Sequence, residues 1–537
     1  MTVLGLDLGS ARAKAAWGSL DHERPEVLTL GPFGEFSCAT HLIWANERVA
    51  AVGEQVGTWL MRHEATDAVF LDRVRQDLAV ARLRYEAEGE ERAPSTYSGV
   101  FFREGVIEAA AGVLRYVWGQ LRETTGERLG GLQHVRLGLP LSHHEFVKRR
   151  LLVALKRAWR EEWLSEGRFY REALQRVGFV PEPLAVLGVA DRLYADQSAA
   201  ADLWTAASDT AVAEGFDGTG GDRAPILVVN VGASTVECAL VGVGPDPTDR
   251  SRRVPTELLS ARSEALGVRA IDRACLEGLR QRDAFFAAQE ERLGSHASWV
   301  TGRLAAWETI RRSWAAGETG PVRAEVTPIS PRGGGGDDAV PIELSIEDLE
   351  QWAKPVSDRI REVATETVHA AGLSVSDLRA AVLVGGGVLL PGLLEALRAG
   401  LSAARVIAPN LSLETDRDQA VTAVAQGLAS HDAWATPRQL GVRHRRLMLF
   451  NTNWTPHEQW PPNPEQFTPV FDPRRPTQNQ HQDLYWGYLQ VPDGVDRLTV
   501  SIFESGLREE HLLTIDNIEV EGGSVTTPTR FQIYLDA

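Results

Sequence analysis

The sequence predicts an α/β protein built from two related halves, followed by a small all-β domain. Three observations carry that expectation. Val3–Trp17 reads as a buried apolar strand, a tight turn with Gly9 and Ser10, and a second strand; Ile226–Leu240 repeats the pattern around Gly232 and Ser234. Such a turn points several backbone N–H groups at one spot, a concavity that suits a phosphate, and a matched pair at domain spacing is far more specific than one copy. Between and after the hairpins, helical and strand periods alternate, as an α/β chain requires. Near residue 431 the composition turns rich in Pro, Gln, Asn and aromatic residues, and the segments that follow read as strands alone.

The chain has 537 residues, enough for several cores, with 43% hydrophobic and 24% charged residues, ordinary proportions for a globular protein. The net charge of −17 argues against nucleic acid as a partner. Its basic residues are nearly all arginine, with lysine only at Lys14, Lys148, Lys156 and Lys354. Cys38, Cys238 and Cys275 have no metal or redox spacing and are expected to be reduced and buried, which suits a cytoplasmic protein. Thr2–Leu8 reads as a strand and not a signal peptide, and no apolar run reaches the length of a membrane span, so no membrane partner is expected.

Taken in order, Val3–Asp7, Ala13–Gly18, Val27–Leu30, Thr40–Ala45 and Val49–Val52 read as short strands punctuated by Gly, Pro, Asn and Glu. Apolar residues at helical spacing predict a helix over Glu104–Glu123. Val135–Leu139 is a strand stopped by Pro140, and His143–Ser165 a basic amphipathic helix whose charges form a solvated face. Asp209–Arg223 is a polar loop between the halves. Trp299–Ala316 is helical, and Pro331–Asp338 is a flexible, Gly-rich hairpin tip. Ser345 and Asp348 mark a capping-box start to a helix reaching about Ala371. Ala380–Val384 is a buried strand leading into Gly385-Gly386-Gly387, with a helix after Pro391 and another over Asp416–Ser430. Leu484–Val491, Leu498–Glu504, Leu512–Val520 and Phe531–Leu535 are the C-terminal strands. The expected domains are 1–195 completed by 412–430, then 222–411, a linker at 431–446, and a β domain at 447–537.

Five motifs in order give this chain a resemblance to the actin and heat-shock ATPase superfamily, and within it to the seventy-kilodalton heat-shock chaperones of the DnaK type. They are Asp7-Leu8-Gly9-Ser10, Pro181-Glu182-Pro183-Leu184-Ala185, Asn230-Val231-Gly232-Ala233-Ser234-Thr235, Val384-Gly385-Gly386-Gly387 with Pro391, and Asp418–Ala423. Gly53-Glu54 with Ala68–Phe70, and Leu266-Gly267 with Asp272, are smaller echoes. The likeness covers about 1–430 well and 440–537 loosely. It implies a two-lobed actin-like fold of duplicated ribonuclease-H-like lobes, with ATP or ADP and Mg²⁺ between the hairpin loops.

On that resemblance, Asp7 reaches the water shell of Mg²⁺, which prefers hard oxygen ligands. Gly9, Ser10, Ala11 and Arg12 form the first phosphate loop, and Gly232, Ala233, Ser234 and Thr235 the second. Glu182 stands near the metal and the attacking water. Gly267 follows the second loop, Glu308 and Arg311 flank adenine and ribose, Gly385, Gly386 and Gly387 approach the adenosine, and Asp418 opens the last connecting segment. Unaided, Glu308 and Arg311 are an i,i+3 ion pair on a helix. Lys14 stands where actin-type members carry a phosphate-contacting lysine; otherwise it is an exposed strand lysine.

Three departures bear on chemistry. Asn230 replaces the family's Asp, and an amide cannot take a proton or offset a metal's charge. Gly53-Glu54-Gln55-Val56-Gly57 lacks the family's first-lobe lysine, and losing such a cation costs orders of magnitude in rate. Gly387 and Leu389 replace the family's Ser and Arg, which weakens adenine stacking. ATP binding is therefore expected to survive, with hydrolysis slow or lost and Asp7, Glu182 and Asn230 as the remnant catalytic set.

Other signatures are absent. No Gly-Lys-Ser/Thr marks a P-loop, Gly242-Val243-Gly244 lacks a third glycine for a dinucleotide fold, and His143, His144 and His444 have no ligand spacing. The C-terminal strands resemble the chaperone's peptide-binding β-sandwich without its helical lid, which would bind extended segments by strand addition without trapping them. The family's acidic-apolar interdomain linker is replaced by Arg443–Arg446 before Leu447–Phe450. The first functional expectation is a chaperone-like, stress-response protein that binds a protein or peptide client under nucleotide control, with a nucleotide-exchange or co-chaperone partner. The alternatives are a scaffold with a structural ATP site, an actin-like filament former, and a sugar or acetate kinase of the same superfamily.

Overall fold

The computed structural model describes, apart from short gaps, residues 2–71, 103–159, 177–194, 224–245, 253–329 and 339–430, and beyond 440 the backbone of seven strands. It is a mixed α/β protein with several sheets. These residues group into two units, 1–254 with 261–435, and 255–260 with 436–537. The polar loops expected at 209–223 and 331–338, and His143 and His144, lie outside the described residues.

In the first unit, β1 (Thr2–Leu8) and β2 (Arg12–Ser19) form an antiparallel hairpin that β3 (Glu26–Leu28) and β4 (Cys38–Ala39) extend. β5 (Leu42–Ala45), β6 (Arg48–Val52) and β7 (Val69–Leu71) make a separate three-stranded sheet, while β8 (His134–Leu139) and β9 (Val177–Pro181) run parallel beside β1. The second large sheet is built from β10 (Ala224–Val231), β11 (Val236–Pro245), β15 (Ala380–Val384) and β16 (Val406–Ile407). Its order β16-β15-β10-β11 repeats β9-β8-β1-β2 strand for strand. In each, a hairpin's first strand pairs antiparallel with the second and parallel with a later strand, which takes a further parallel neighbour. The near-continuous apolar runs of β1, β10 and β15 fit this placement, because strands covered on both faces lose the alternation of a half-wet sheet. Strand β12 (Arg253–Glu264), whose residues 255–260 belong to the second unit, follows β11, and β13 (Val322–Val326) and β14 (Val340–Leu344) form an antiparallel pair.

The helices are α1 (Gln55–Arg62), α2 (Arg103–Thr125), α3 (Glu145–Trp159), α4 (Glu182–Leu187), α5 (Val268–Arg282), α6 (Ala284–Leu293), α7 (Ala297–Ala315), α8 (Ile346–Ala370), α9 (Pro391–Gly400) and α10 (Glu414–Ala429). Helix α8 opens on the Ser345–Asp348 capping box, each side chain accepting from the other residue's backbone N–H. The basic helix expected over 143–165 is described only as Glu145–Trp159, and Trp159 buries its ring while donating to the Leu114 carbonyl at 3.0 Å. Pro181-Glu182-Pro183, which by itself reads as a loop, instead starts α4. Both prolines sit in the cap and first turn, where a missing N–H costs no helical hydrogen bond.

Helix α10 crosses β1 and β2 at backbone contact. A Cβ on Gly5 would lie 2.5 Å from Ala429 N, and one on Gly18 would overlap the Ala429 carbonyl. Gly427 in turn lies against Ala185 of α4 so closely that a Cβ there would overlap the Ala185 carbonyl. No described helix is long and apolar enough to cross a membrane.

Cys38, Cys238 and Cys275 are free and buried, as expected. Burial is the main force pushing each thiol up to about 12, so little thiolate exists at neutral pH. Ellman's reagent is expected to titrate them only after denaturant is added; rapid labelling of the folded protein would contradict this burial.

In the second unit, β17 (Gly441–Val442) pairs in parallel with Glu257 and Leu258 of β12, so part of the stretch read as a linker is a strand. β18 (Arg446–Asn451), β19 (Phe467–Phe471), β21 (Arg497–Ser505) and β22 (Glu509–Glu519) form an antiparallel sheet in the order β19-β18-β21-β22. β20 (Leu484–Leu489) and β23 (Thr529–Tyr534) form a separate antiparallel pair. Every described element of this unit is a strand.

Candidate functional site

The two hairpin turns have the same construction. In the first, the carbonyls of Gly9, Ser10 and Ala11 are all taken by the protein. Gly9 accepts from the Thr40 hydroxyl at 3.1 Å, Ser10 from the Arg269 guanidinium at 3.1 Å, and Ala11 from Thr40 N–H at 3.0 Å. In the second, Gly232 N–H closes the turn on the Thr235 carbonyl at 2.9 Å. The Gly232 and Ala233 carbonyls accept from Val268 and Arg269 N–H at 3.0 and 2.8 Å. Both turns are thus fixed through their carbonyls, the requirement for any rigid backbone nest.

Each turn also carries a buried serine, and neither Ser10 Oγ nor Ser234 Oγ has a hydrogen-bond partner. A buried hydroxyl without a partner costs about 1–3 kcal/mol; Ser10 follows the first turn's glycine directly, whereas Ser234 stands one residue further along its turn. Gly267 lets α5 approach the second turn: a Cβ there would lie 2.5 Å from Ser234 N.

Arg269 ties the turns together. Its backbone N–H is bound to Ala233 of the second, and its side chain reaches Ser10 of the first. It was not among the residues picked out from the sequence, although it lies inside the Leu266–Asp272 echo; Thr40 was likewise missed. Both act through tertiary contacts that no local pattern encodes.

Cross-strand register sets the charge at the first turn. Asp7 stands opposite Lys14 in the β1–β2 ladder, and Lys14 Nζ lies 2.9 Å from Asp7 Oδ2 with both side chains largely buried. The same ammonium sits over the turn, 3.2 Å from where a Cβ on Gly9 would be. Lys14 is therefore not the exposed strand lysine of the alternative reading.

Opposite, the Asn230 amide donates to Glu182 Oε2 at 3.0 Å, both side chains being buried. Gly385 (φ +94°) fits here because it has no Cβ, which would lie 2.7 Å from Asn230 Oδ1. Its N–H donates to the Ala420 carbonyl of α10 at 2.8 Å. Gly387 presses on Val231, whereas Gly386 faces open space. Asp418 lies two residues before Ala420 on the same helix, with its carboxyl raised by burial and by Glu414, against the pull of Arg417.

Glu308 and Arg311, one turn apart on α7, have different partners. Glu308 accepts from Arg12 of β2 at 3.3 Å and from Arg312 at 2.8 Å. Burial pushes its carboxyl up, but Arg12, Arg312 and Arg311 outweigh that and hold it below the usual range. Arg12 also binds Glu35 and Ser37. Arg311 reaches Asp272 at 2.5 Å, and burial keeps the Asp272 carboxyl raised despite Arg311, Trp307 and Arg269.

The groups that could serve a phosphate are the Ser10 and Ser234 hydroxyls, on turns joined by Arg269, and Lys14. They fit Mg²⁺ poorly. Asp7 is already paired with an ammonium, position 230 is an amide, and among the described residues no cluster of three or more His, Cys, Asp or Glu could hold a metal ion. No protein-family model matches this chain, and no curated protein matches it.

Proposed function

We propose that the first unit is a two-lobed, actin-like nucleotide-binding body that holds ATP or ADP by its phosphates, with hydrolysis slow or lost. The β unit is proposed to bind a protein or peptide client under control of the nucleotide. The observation that carries the nucleotide reading is the pair of partnerless serine hydroxyls on turns that Arg269 joins. Slow chemistry is supported by Asn230, whose amide can neither accept a proton nor act as a charged group and already serves as a donor to Glu182. The repeated strand order supports duplicated lobes, and the all-strand second unit supports client capture by strand addition.

Calorimetry on the full chain tests the nucleotide reading. Ser10→Ala with Ser234→Ala should weaken ATP and ADP binding about tenfold or more, while the ligand-free double variant melts at or above the wild-type temperature, because a partnerless hydroxyl has been removed from each turn. Unchanged affinity, or a strongly destabilised protein, would show that these hydroxyls do not serve a phosphate. Peptide binding that weakens on adding ATP would favour the chaperone-like reading over a scaffold.

A further inference from the structure

The geometry points to nucleotide binding that does not use a divalent cation: Lys14, held on Asp7, supplies the positive charge at the phosphates. This rests on the nucleotide reading above and says how the site meets the charge of a triphosphate.

A free carboxylate at the end of β1 would repel an uncomplexed triphosphate and attract a hydrated cation. In this chain that carboxylate is already neutralised. Lys14 Nζ sits 2.9 Å from Asp7 Oδ2 in a largely buried pair, and the same ammonium overhangs the Gly9 turn. This ion pair offsets the carboxylate's charge at Oδ2, and a divalent ion would have to displace the lysine or crowd a second cation onto one carboxylate.

The opposite wall gives no compensation. Asn230 carries no charge, and its amide hydrogen occupies Glu182 Oε2 at 3.0 Å. Glu182 and Glu237 stand buried beside Asn230, and the cations nearest the turns are Arg269 and Lys14. Arg269 crosses from the second turn to the first, and Lys14 retains N–H groups beyond the one directed at Asp7. A fixed ammonium and a guanidinium, beside two turns whose carbonyls are engaged, suit an uncomplexed polyphosphate.

The test is calorimetric titration of the full-length protein with ATP in excess Mg²⁺ and in excess EDTA. The wild-type dissociation constants should agree within about threefold. Asp7→Asn removes a negative charge and should bind ATP in EDTA as tightly as wild type or tighter. Lys14→Met should lose about tenfold or more in EDTA and become dependent on Mg²⁺, and Lys14→Arg should restore binding in EDTA. The inference is overturned, and the nucleotide reading kept, if EDTA weakens wild-type binding by more than about tenfold, or if Asp7→Asn abolishes binding in Mg²⁺. If neither ATP nor ADP binds in either buffer to a protein that still melts cooperatively, both are overturned. The wild-type comparison needs no variant to fold.

Discussion

Gly427→Val is expected to destabilise the first unit by about 4 kcal/mol or more, lowering its melting temperature by roughly 10 °C. The reason is steric. Gly427 lies on α10 facing α4, where even a Cβ would overlap the Ala185 carbonyl and come within 3.1 Å of Val186 N. Both obstacles are backbone, so no rotamer change relieves them, and the helices must separate. The damage would reach the site, because α4 begins at Glu182 and α10 holds Gly385 through the Ala420 carbonyl. Nucleotide affinity should therefore fall together with stability. Gly119→Ala is the control: it lies within α2 with nothing within 4 Å of its would-be Cβ, and should raise stability by about 0.5–1 kcal/mol. A Gly427→Val protein melting within a degree or two of wild type would refute the close helix contact.

Asn230→Asp is the second large effect, and its sign depends on pH. The substitution removes the donor of a 3.0 Å hydrogen bond and sets a second buried carboxylate against Glu182. Two carboxylates at that distance cannot both ionise cheaply, so the folded pair retains a proton that the unfolded chain releases near pH 4. A folded-state pKa raised above the unfolded one means relative stability that is present below about pH 4 and lost as pH rises through the raised value. The variant should match wild type most closely in acid and fall behind it by about 3 kcal/mol at pH 8. Denaturant melts at several pH values would show this; a constant difference across the range would mean that the two side chains do not meet. A phosphate-release assay on the same variant reports whether a carboxylate at this position restores turnover.

Much of this architecture is legible in local sequence, for identifiable reasons. The β1–β2 and β10–β11 hairpins announce themselves because a buried strand must be apolar and its turn needs glycine. Ser345 and Asp348 signal the start of α8 because a capping box is completed within four residues. The Asp7–Lys14 pair follows from hairpin register once the turn is placed. Other features depend on distant residues. Arg269 matters because α5 packs on one turn while its side chain reaches the other, and Glu182 meets Asn230 only after the two sheets are assembled. Glu308 and Arg311 are a bare i,i+3 pair in the sequence, yet in the folded protein each faces a residue outside α7, Arg12 and Asp272 respectively.

The seat of α10 on Gly5 and Gly18 also bears on synthesis. The earliest strands made cannot be fully covered until residues 414–429 emerge, almost a whole unit later. At ribosomal speeds of about 5–20 residues per second, this leaves a nascent apolar sheet exposed for tens of seconds. Closing so distant a contact is also slow, because the entropy of the intervening chain must be overcome first. A chain built this way needs shelter during translation, and substitutions that delay α10 would be expected to reduce yield in the cell more than they shift the melting curve of the finished protein.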